Sequence, residues 1–396
     1  MVKMKKLNYG WAIVASLFCM YAISNGFTLN TLPLFYKSLG TELGIDSEAI
    51  QRGPSLLFVL IAFMAPVMGY FLDRYPARLL ISIGAVGLVA DIFFFSFIKS
   101  YQQFLGFYVV YSVFLALGGI ISSVYLITKW FQKDRGKAIG VFLVSSSVGG
   151  AILNPLAGKW IKELGWHQAA WQLGFIAAAF LLVPLFFIRD KKTVNQSSRG
   201  NYLNQDITLK MAARTPTFYF LLVATGVMWF CIYGIITNQP LYFADLKLDA
   251  AQSGKIIGTF FTFSILGKLI FGTLSDYFSK KYIMLLAIIT LTIGSVLLIL
   301  TADNQSLLLP YAICYGIGFS GVFTMIQLLV AELYQGRNYG SILGIVTMVD
   351  TLAGAAGAYT LGSMHKAQGN YAGAFMIMLV LCGVALIGTA FLKIKK

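Results

Sequence analysis

The stretch Gly69-Tyr-Phe-Leu-Asp73-Arg74-Tyr-Pro-Ala-Arg78 decides the fold, because the chain contains a second copy of its pattern. Gly-x-x-x-Asp with basic residues after it returns 203 residues later as Gly272-Thr-Leu-Ser-Asp276-Tyr-Phe-Ser-Lys280-Lys281. Each copy begins where a long apolar run ends, and another apolar run follows at once. A second doublet, Arg135-Gly-Lys-Ala-Ile-Gly140 and Arg337-Asn-Tyr-Gly-Ser-Ile-Leu-Gly344, has nearly the same offset. An apolar chain that repeats itself at half its length is typical of secondary transporters, in which one repeat moves against the other.

The composition predicts a membrane protein built from α-helices. The chain has 396 residues, a mean hydropathy of +0.77 and only 11% charged residues, whereas about a quarter of residues are charged in soluble domains. A membrane-spanning helix needs about 20 apolar residues, and the apolar runs lack the alternation of β-barrel strands. We therefore predict twelve spans, at about 9–36, 53–72, 79–98, 103–128, 138–161, 168–188, 217–243, 255–275, 282–301, 307–331, 339–364 and 371–392.

The excess of basic residues, 30 Lys and Arg against 15 Asp and Glu, follows the predicted topology. If both termini are cytoplasmic, most of these bases fall in cytoplasmic segments, which is the positive-inside bias. This distribution argues against a nucleic-acid partner. A long polar stretch separates six spans from six, so we predict an N-terminal six-helix bundle at 1–189, a cytoplasmic linker at 190–214 and a C-terminal six-helix bundle at 215–396.

Several stretches resemble the major facilitator superfamily and, within it, the monocarboxylate porter family. The 69–78 stretch is similar to the superfamily signature between the second and third helices. Patterns similar to the porter family recur along nearly the full chain, in Tyr9-Gly10-Trp11, 129–150, Gly165-Trp166-His167 and 332–350. The resemblance implies an all-α, twelve-helix fold with two six-helix bundles related by pseudo-two-fold symmetry, each made of 3+3 inverted repeats, and transport by alternating access.

The two repeated aspartates suit a gate on the cytoplasmic side. Asp73 and Asp276 follow predicted spans 2 and 8, where a carboxylate can stabilise the partly positive N-terminus of a facing helix by about 0.3–1 kcal/mol. They can also pair with arginines of the second doublet. Breaking these contacts would open the gate, for which we predict the set Asp73, Arg74, Arg78, Arg135, Asp276, Glu332 and Arg337. The alternative for the basic members is that they only fix the topology.

Three ionisable residues, Asp91, Lys268 and Asp350, lie within predicted spans. Each costs about 2.5–3.5 kcal/mol at the membrane midplane unless it has a partner. In the resembling family an arginine on the eighth helix binds the substrate carboxylate, and Lys268 occupies its place without the bidentate geometry of arginine. Animal members carry an aspartate four residues earlier, where this chain has Ser264. Asp350 is the predicted substitute, and Asp91 is predicted to be structural.

We predict that Lys268 attracts an anionic substrate and that Asp350 takes up a proton, which frees Lys268 to bind the carboxylate. The alternative is a static Lys268–Asp350 pair that only holds two helices together. Polar and aromatic residues of spans 1, 4, 7 and 10, with one residue of span 5, are predicted to line the substrate cavity: Asn25, Asn30, Tyr111, Tyr125, Trp229, Tyr233, Asn238, Tyr315, Gln327 and Asn154. Packing is the alternative for each aromatic residue, and Tyr242, Tyr311 and Trp166 are predicted to lie in the interfacial belt.

The sequence offers no basis for an enzyme. It has two histidines, no Cys/His metal-ligand spacing, no phosphate-binding loop and no nucleophile elbow. We predict no catalytic residue, no metal and no cofactor, with a proton gradient as the energy source. The predicted function is transport of a small monocarboxylate, lactate- or pyruvate-like, with a proton, by a monomer in a plasma membrane of the bacterial inner-membrane type. The alternatives are exchange of organic anions, efflux of a larger amphipathic or zwitterionic solute, and a sensor that binds without transport.

Overall fold

The computed structural model describes residues 2–45, 47–190, 207–248, 250–334 and 338–392. Within these ranges the side chains of 2–8, 29, 30, 37, 47, 48, 51, 244, 250 and 251 are outside the description. The described chain is all-α, without a β-strand, and twelve of its helical segments are long and apolar enough to cross a membrane. The predicted fold class and number of spans are confirmed.

The helices follow the apolar runs because a segment in lipid must satisfy its backbone hydrogen bonds internally. In chain order the described α-helices are α1 (Val2–Asn25), α2 (Tyr36–Leu43), α3 (Ser47–Arg74), α4 (Ala77–Phe95), α5 (Tyr101–Gly118), α6 (Ile120–Trp130), α7 (Arg135–Leu164), α8 (Trp166–Leu182), α9 (Leu209–Ala212), α10 (Pro216–Asp245), α11 (Ala250–Tyr277), α12 (Lys280–Leu300), α13 (Leu308–Leu333), α14 (Tyr339–Gln368) and α15 (Ala372–Ala390). The first span continues from α1 through a π turn, Gly26–Thr31, and a 3₁₀ turn, Leu32–Phe35. The fourth span is interrupted at Gly119, between α5 and α6.

The two copies of the repeated motif have the same local structure. Each lies where a long helix ends, and two residues separate that helix from the next one: α3 from α4, and α11 from α12. The residue before the second helix is Pro76 in one copy, with φ −59° and ψ 128°, and Ser279 in the other, with φ −58° and ψ 125°. The sequence repeat is therefore also a repeat of backbone conformation.

The chain divides into two compact units. Unit 1 comprises Met1–Gln132, Val141–Asp206 and Gly336–Gly344, and unit 2 comprises Lys133–Gly140, Ile207–Gln335 and Ile345–Lys396. In unit 1, α5 packs against α3 and α4, and α4 also packs against α8. In unit 2, α13 packs against α11 and α12, and α15 packs against α10 and α12. The sequence predicts Lys133–Gly140 in the N-terminal bundle and Gly336–Gly344 in the C-terminal bundle. In the structure Lys133–Gly140 belongs to unit 2 and Gly336–Gly344 to unit 1.

Both units expose large apolar side chains along their spans. Examples are Phe63 and Val86 in unit 1 and Val380 and Ile387 in unit 2, each more than half exposed. Exposed apolar side chains on helices of this length suit contact with the hydrocarbon core of a bilayer.

Candidate functional site

The first copy of the repeated motif places Asp73 at the N-terminus of α14, within unit 1. Its Oδ1 accepts a hydrogen bond from the backbone N–H of Gly340 at 2.9 Å. Its Oδ2 accepts one from the backbone N–H of Ser341 at 2.9 Å and another from the Ser341 hydroxyl at 2.6 Å. The first N–H groups of a helix have no partner inside the helix, so this carboxylate satisfies them and complements the helix dipole.

The second copy repeats this arrangement within unit 2. Asp276 Oδ1 accepts a hydrogen bond from the backbone N–H of Gly136 at 2.7 Å, and Oδ2 accepts one from that of Lys137 at 2.9 Å. Both donors belong to the first turn of α7. The predicted contact of each aspartate with a helix N-terminus is therefore present in the geometry, while the gating role stays a prediction.

Glycines allow these carboxylates to reach the helix ends. A Cβ atom on Gly272 would lie 2.7 Å from the carbonyl oxygen of Gly136 and 3.0 Å from the Cα of Gly140. A Cβ atom on Gly69 would overlap the carbonyl group of Gly340. Since four residues make about one helical turn, the Gly-x-x-x-Asp spacing puts a close backbone contact one turn before the capping aspartate. A side chain at either glycine would push the two backbones apart.

Each of the other described residues of the predicted gating set has a different partner. Arg135 is buried, and its Nη1 lies 3.5 Å from the carbonyl oxygen of Ala331. Glu332 forms an ion pair with Lys280 at 3.0 Å. The guanidinium of Arg74 lies over the ring of Tyr70, and the backbone N–H of Arg78 donates to the carboxylate of Asp190. Arg337 lies outside the described residues. In the described chain no ion pair joins Asp276 to Arg135, and the Asp276 carboxylate accepts from backbone N–H groups.

Lys268 is buried on α11, with only 2% of its surface exposed. Its Nζ lies 5.7 Å from the centroid of the Phe323 ring on α13, a cation–π distance. The neighbouring Gly267 allows α11 and α13 to approach, because a Cβ atom there would lie 2.9 Å from the carbonyl oxygen of Ile317. The lysine charge is thus held in unit 2 beside an aromatic ring.

Asp350 is buried on α14, with 4% of its surface exposed. The carboxylate lies beside Thr225 and Trp229 of α10. Its Oδ1 and the Thr225 hydroxyl have no hydrogen-bond partner among the described residues. None of the ion pairs in the described chain joins Asp350 to Lys268. The static pair that the sequence left open is therefore not formed in this structure.

Trp229 connects the surroundings of the two charged residues. It lies beside the Asp350 carboxylate, and its ring packs edge-on against Phe323 with centroids 5.6 Å apart. Phe323 is in turn the ring that faces Lys268. Tyr233, one turn along α10, packs against Trp229 at 5.1 Å. Four of the predicted site residues (Lys268, Asp350, Trp229 and Tyr233) are therefore brought together in unit 2.

The remaining predicted cavity residues have other surroundings. The buried Tyr315 donates to the carbonyl of Cys231 at 3.4 Å, and Gln327 is buried on α13. In unit 1 the Tyr111 hydroxyl is fully buried in hydrogen bonds with Thr28 and the Ser24 carbonyl, and Tyr125 lies under the ammonium of Lys129. The buried, hydrogen-bonded hydroxyl of Tyr111 and the buried ring of Tyr125 suit packing. The other members are Asn25, whose amide donates to the Tyr21 hydroxyl, Asn154, which accepts from Thr31, Asn238, which donates to the Ala358 carbonyl, and Asn30, whose side chain is outside the description.

Two residues of the site escaped the sequence analysis. Phe319 and Phe323 lie four residues apart on α13, so they share one face, and their rings stack with centroids 6.0 Å apart. The spacing was visible in the sequence, but an aromatic pair at helical spacing usually marks ordinary packing. In the part of the chain that the structure describes, the position of Lys268 distinguishes Phe323 from other packed phenylalanines. Asp91, the third intramembrane charge, is buried on α4 with Oδ2 unpartnered among the described residues.

Each histidine contacts a carboxylate. These carboxylates, Glu42 and Asp245, precede α3 and α11, whereas the capping aspartates lie at the C-terminal ends of these helices. In unit 1, Glu42 accepts from the indole N–H of Trp166 at 2.6 Å and lies 3.0 Å from His167 Nε2. In unit 2, His365 Nε2 lies 2.8 Å from Asp245 Oδ2. Glu42 and Asp245 are 203 residues apart, which is the offset of the repeated motif. Hydrogen bonds from Trp166, and then the bond and charge of His167, hold the pKa of Glu42 below its usual value.

Comparison with known proteins agrees with this architecture. The family model of the Major Facilitator Superfamily matches residues 14–358 and 240–396. The chain is 22% identical over 397 residues to an uncharacterised MFS-type transporter, YcxA, of Bacillus subtilis, covering 95% of this chain and 93% of that protein. It is 24% identical over 392 residues to the fujikurins efflux protein of Gibberella fujikuroi, covering 96% and 81%.

Among solved structures, the human organic anion transporter MFSD10 has the same fold. The TM-score is 0.74 at 16% identity, covering 97% of this chain and 99% of that one. Neither this likeness nor the relatives confirm the monocarboxylate porter family within the superfamily. The twelve spans and the match of the family model over most of the chain show that this multi-pass membrane protein is a transporter, not an enzyme, and belongs to the Major Facilitator Superfamily.

Proposed function

We propose that this transporter carries a small monocarboxylate together with a proton by alternating access. The observation that supports the proposal is the arrangement in unit 2, where a buried lysine and a buried carboxylate flank the Trp229–Phe323 ring pair without forming an ion pair with each other. A buried cation can attract an anionic substrate, and a buried carboxyl can carry a proton.

Lys268 is the proposed anion-binding residue. A cation inside a membrane protein is costly, so such residues are found mainly where they act on an ion or substrate pathway. The ring face of Phe323 lies at a cation–π distance from the ammonium, an attraction that helps to keep the buried charge. Binding of an anionic substrate would add the opposite charge at this point.

Asp350 is the proposed proton-carrying residue. Its Oδ1 lacks a hydrogen-bond partner in the described chain, and a neutral carboxyl group is much less costly to bury than a charged one. Uptake of a proton would therefore favour the occluded site, and release would accompany its exposure to water. This cycle would couple the proton gradient to movement of the anion.

The test is uptake of radiolabelled lactate into proteoliposomes with and without an inward proton gradient. We expect Lys268→Ala to weaken lactate binding at least about tenfold, since a charge-assisted contact is worth roughly 1.5–3 kcal/mol. We expect Asp350→Asn to remove the acceleration of uptake by the proton gradient. Lys255→Ala, on an exposed position of the same helix α11, and Asp303→Asn, on an exposed turn, are the matched controls and should behave as wild type.

Two outcomes would contradict the proposal. Unchanged lactate affinity in Lys268→Ala would exclude the lysine from anion binding. Wild-type uptake that is indifferent to the proton gradient would exclude coupling, and exchange of internal for external anion without such dependence would indicate an antiporter.

Export of a larger amphipathic compound is the second candidate. It is favoured by the similarity along 96% of the chain to a protein named for efflux of fujikurins. Everted membrane vesicles distinguish the two, because an exporter accumulates its compound in everted vesicles and a monocarboxylate importer loads right-side-out vesicles.

A further inference from the structure

The surroundings of Lys268 and Asp350 are richer in aromatic rings than a two- or three-carbon acid requires. An aromatic cluster, defined as Trp229, Tyr233, Phe260, Phe319 and Phe323, occupies α10, α11 and α13 of unit 2. Its successive ring centroids are 5.1–6.0 Å apart: Tyr233 to Trp229, Trp229 to Phe323, Phe323 to Phe319 and Phe319 to Phe260. These distances are those of direct ring contact.

Two rings of the cluster each have a charged residue beside them. Lys268 Nζ faces the ring of Phe323, and the Asp350 carboxylate lies beside the indole of Trp229. Trp229, Tyr233 and Phe319 are only partly buried, whereas both charged residues are more than nine-tenths buried. Part of the ring surface of the cluster is therefore exposed, and Phe323 connects these rings to the buried cation.

A ligand must match both features to use the site fully. A carboxylate would complement the Lys268 ammonium, but a short aliphatic acid such as lactate has no ring to pack on the partly exposed aromatic surface. A flat apolar body attached to the carboxylate would pack on these rings, and each aromatic contact contributes about 0.5–1.5 kcal/mol beyond the buried area. Orientation would follow, because the charge fixes one end of the ligand and the rings fix the other.

We propose that the preferred substrate class is an aromatic monocarboxylate, with its carboxylate on Lys268 and its ring packed against Trp229 and Phe319. This inference rests on the proposed function, since it needs Lys268 as the anion-binding residue. It sharpens that function from small monocarboxylates in general to those that carry a ring.

The test compares phenylacetate with lactate, which share the carboxylate and differ in the ring. Equilibrium binding to the purified protein in detergent is measured for both acids. We expect phenylacetate to bind at least about tenfold more tightly than lactate. Trp229→Leu and Phe319→Leu should each weaken phenylacetate binding about tenfold and change lactate binding less than twofold. Trp229→Phe, which keeps a ring, should restore most of the phenylacetate affinity.

Trp171→Leu is the matched control, because Trp171 lies in unit 1 among Phe93, Phe97 and Phe175 and has no part in the cluster. It should leave both affinities unchanged. Equal or tighter binding of lactate in the wild type, or equal weakening of both acids in Trp229→Leu and Phe319→Leu, would overturn the aromatic preference. Lys268→Ala distinguishes failure of the aromatic preference from failure of the proposed function. If Lys268→Ala lowers lactate affinity while the ring variants have no selective effect, the proposed function stands and this inference fails. If Lys268→Ala changes neither affinity, both fail.

Discussion

Glu42 is the residue whose titration should be measurable in the stability of the folded protein. Its carboxylate accepts the Trp166 indole N–H and contacts His167, and these partners lower its pKa below the ordinary value of 4.5. A carboxyl group whose pKa is depressed on folding adds stability above its unfolded pKa and loses it as the pH falls through the folded pKa. The contribution of Glu42 should therefore be complete near neutral pH and should vanish well below pH 4.5.

We expect Glu42→Gln to lower Tm by about 1 °C at pH 7, a small effect because the pair is partly exposed and screened by solvent. The difference from wild type should shrink as the pH is lowered below 4.5. Thermal unfolding in detergent at a series of pH values measures it, with the exposed Glu163→Gln on α7 as control. A Tm difference that stays constant over this range would show that the charge of Glu42 has no role.

Lys268 and Asp350 show the limit of prediction at this scale. The sequence identified both as intramembrane charges, because a charge within an apolar run is visible locally. It suggested that they form a pair, but their partners depend on side-chain directions set by α10 and α13. In the described structure the rings of Trp229 and Phe323 lie in their surroundings instead.

The prediction that Trp166, Tyr242 and Tyr311 lie in the interfacial belt is wrong, because all three side chains are buried within the protein. Trp166 is buried against Glu42, Tyr311 donates to Gln239, and Tyr242 is bonded to Thr301. An aromatic ring with a polar atom suits the membrane interface, but it suits a buried position equally when that atom finds a partner. Position near a helix end does not distinguish the two.

At the scale of elements, Gly272 should tolerate no side chain. An added Cβ atom would lie 2.7 Å from the Gly136 carbonyl oxygen, so α11 would be pushed away from the first turn of α7 and the Asp276 cap would lengthen. We expect Gly272→Ala to cost about 1–3 kcal/mol, the usual range for overpacking, and to slow transport. The measurements are Tm in detergent and lactate uptake in proteoliposomes.

Gly258→Ala is the control on the same helix, because no atom lies within 4 Å of the Cβ position there. Alanine has the higher helix propensity, so this variant should keep or slightly raise Tm. Equal behaviour of the two variants would mean that the contact of α11 with α7 does not constrain the fold.

The repeated motif was predictable as an element because its parts are local. Gly-x-x-x-Asp fixes a close contact and a capping carboxylate one turn apart, and the matching dihedral angles of Pro76 and Ser279 follow from the same turn. The sequence predicts that each aspartate caps the N-terminus of a facing helix, but it does not identify that helix. Gly340 and Ser341 for Asp73, and Gly136 and Lys137 for Asp276, required the structure.

At the scale of the whole molecule, the charge distribution predicts the orientation in the membrane. With both termini cytoplasmic, the loop at Gln132 lies inside and the loop at Asn304 lies outside, and both residues are exposed. We expect a membrane-impermeant maleimide to label Asn304→Cys in intact cells and to label Gln132→Cys only after the membrane is permeabilised. The four native cysteines lie in spans and are buried or half-buried, so the unmodified chain is the control for background labelling. The opposite labelling pattern would invert the topology.

The twelve helices, the internal repeat, the charged residues within the spans and the superfamily can be predicted from the sequence. Burial of apolar runs in lipid and the chemistry of a short motif are local properties. Which groups are in contact follows only from the folded arrangement of the helices. These contacts are the caps of Asp73 and Asp276, the histidine–carboxylate contacts, and the aromatic cluster beside Lys268 and Asp350. The physical reason is that a buried charge or ring can contact residues that are far away in the sequence. Its partner is set by which helix faces pack together, and in unit 2 α11 and α13 pack closely enough to place Lys268 on Phe323.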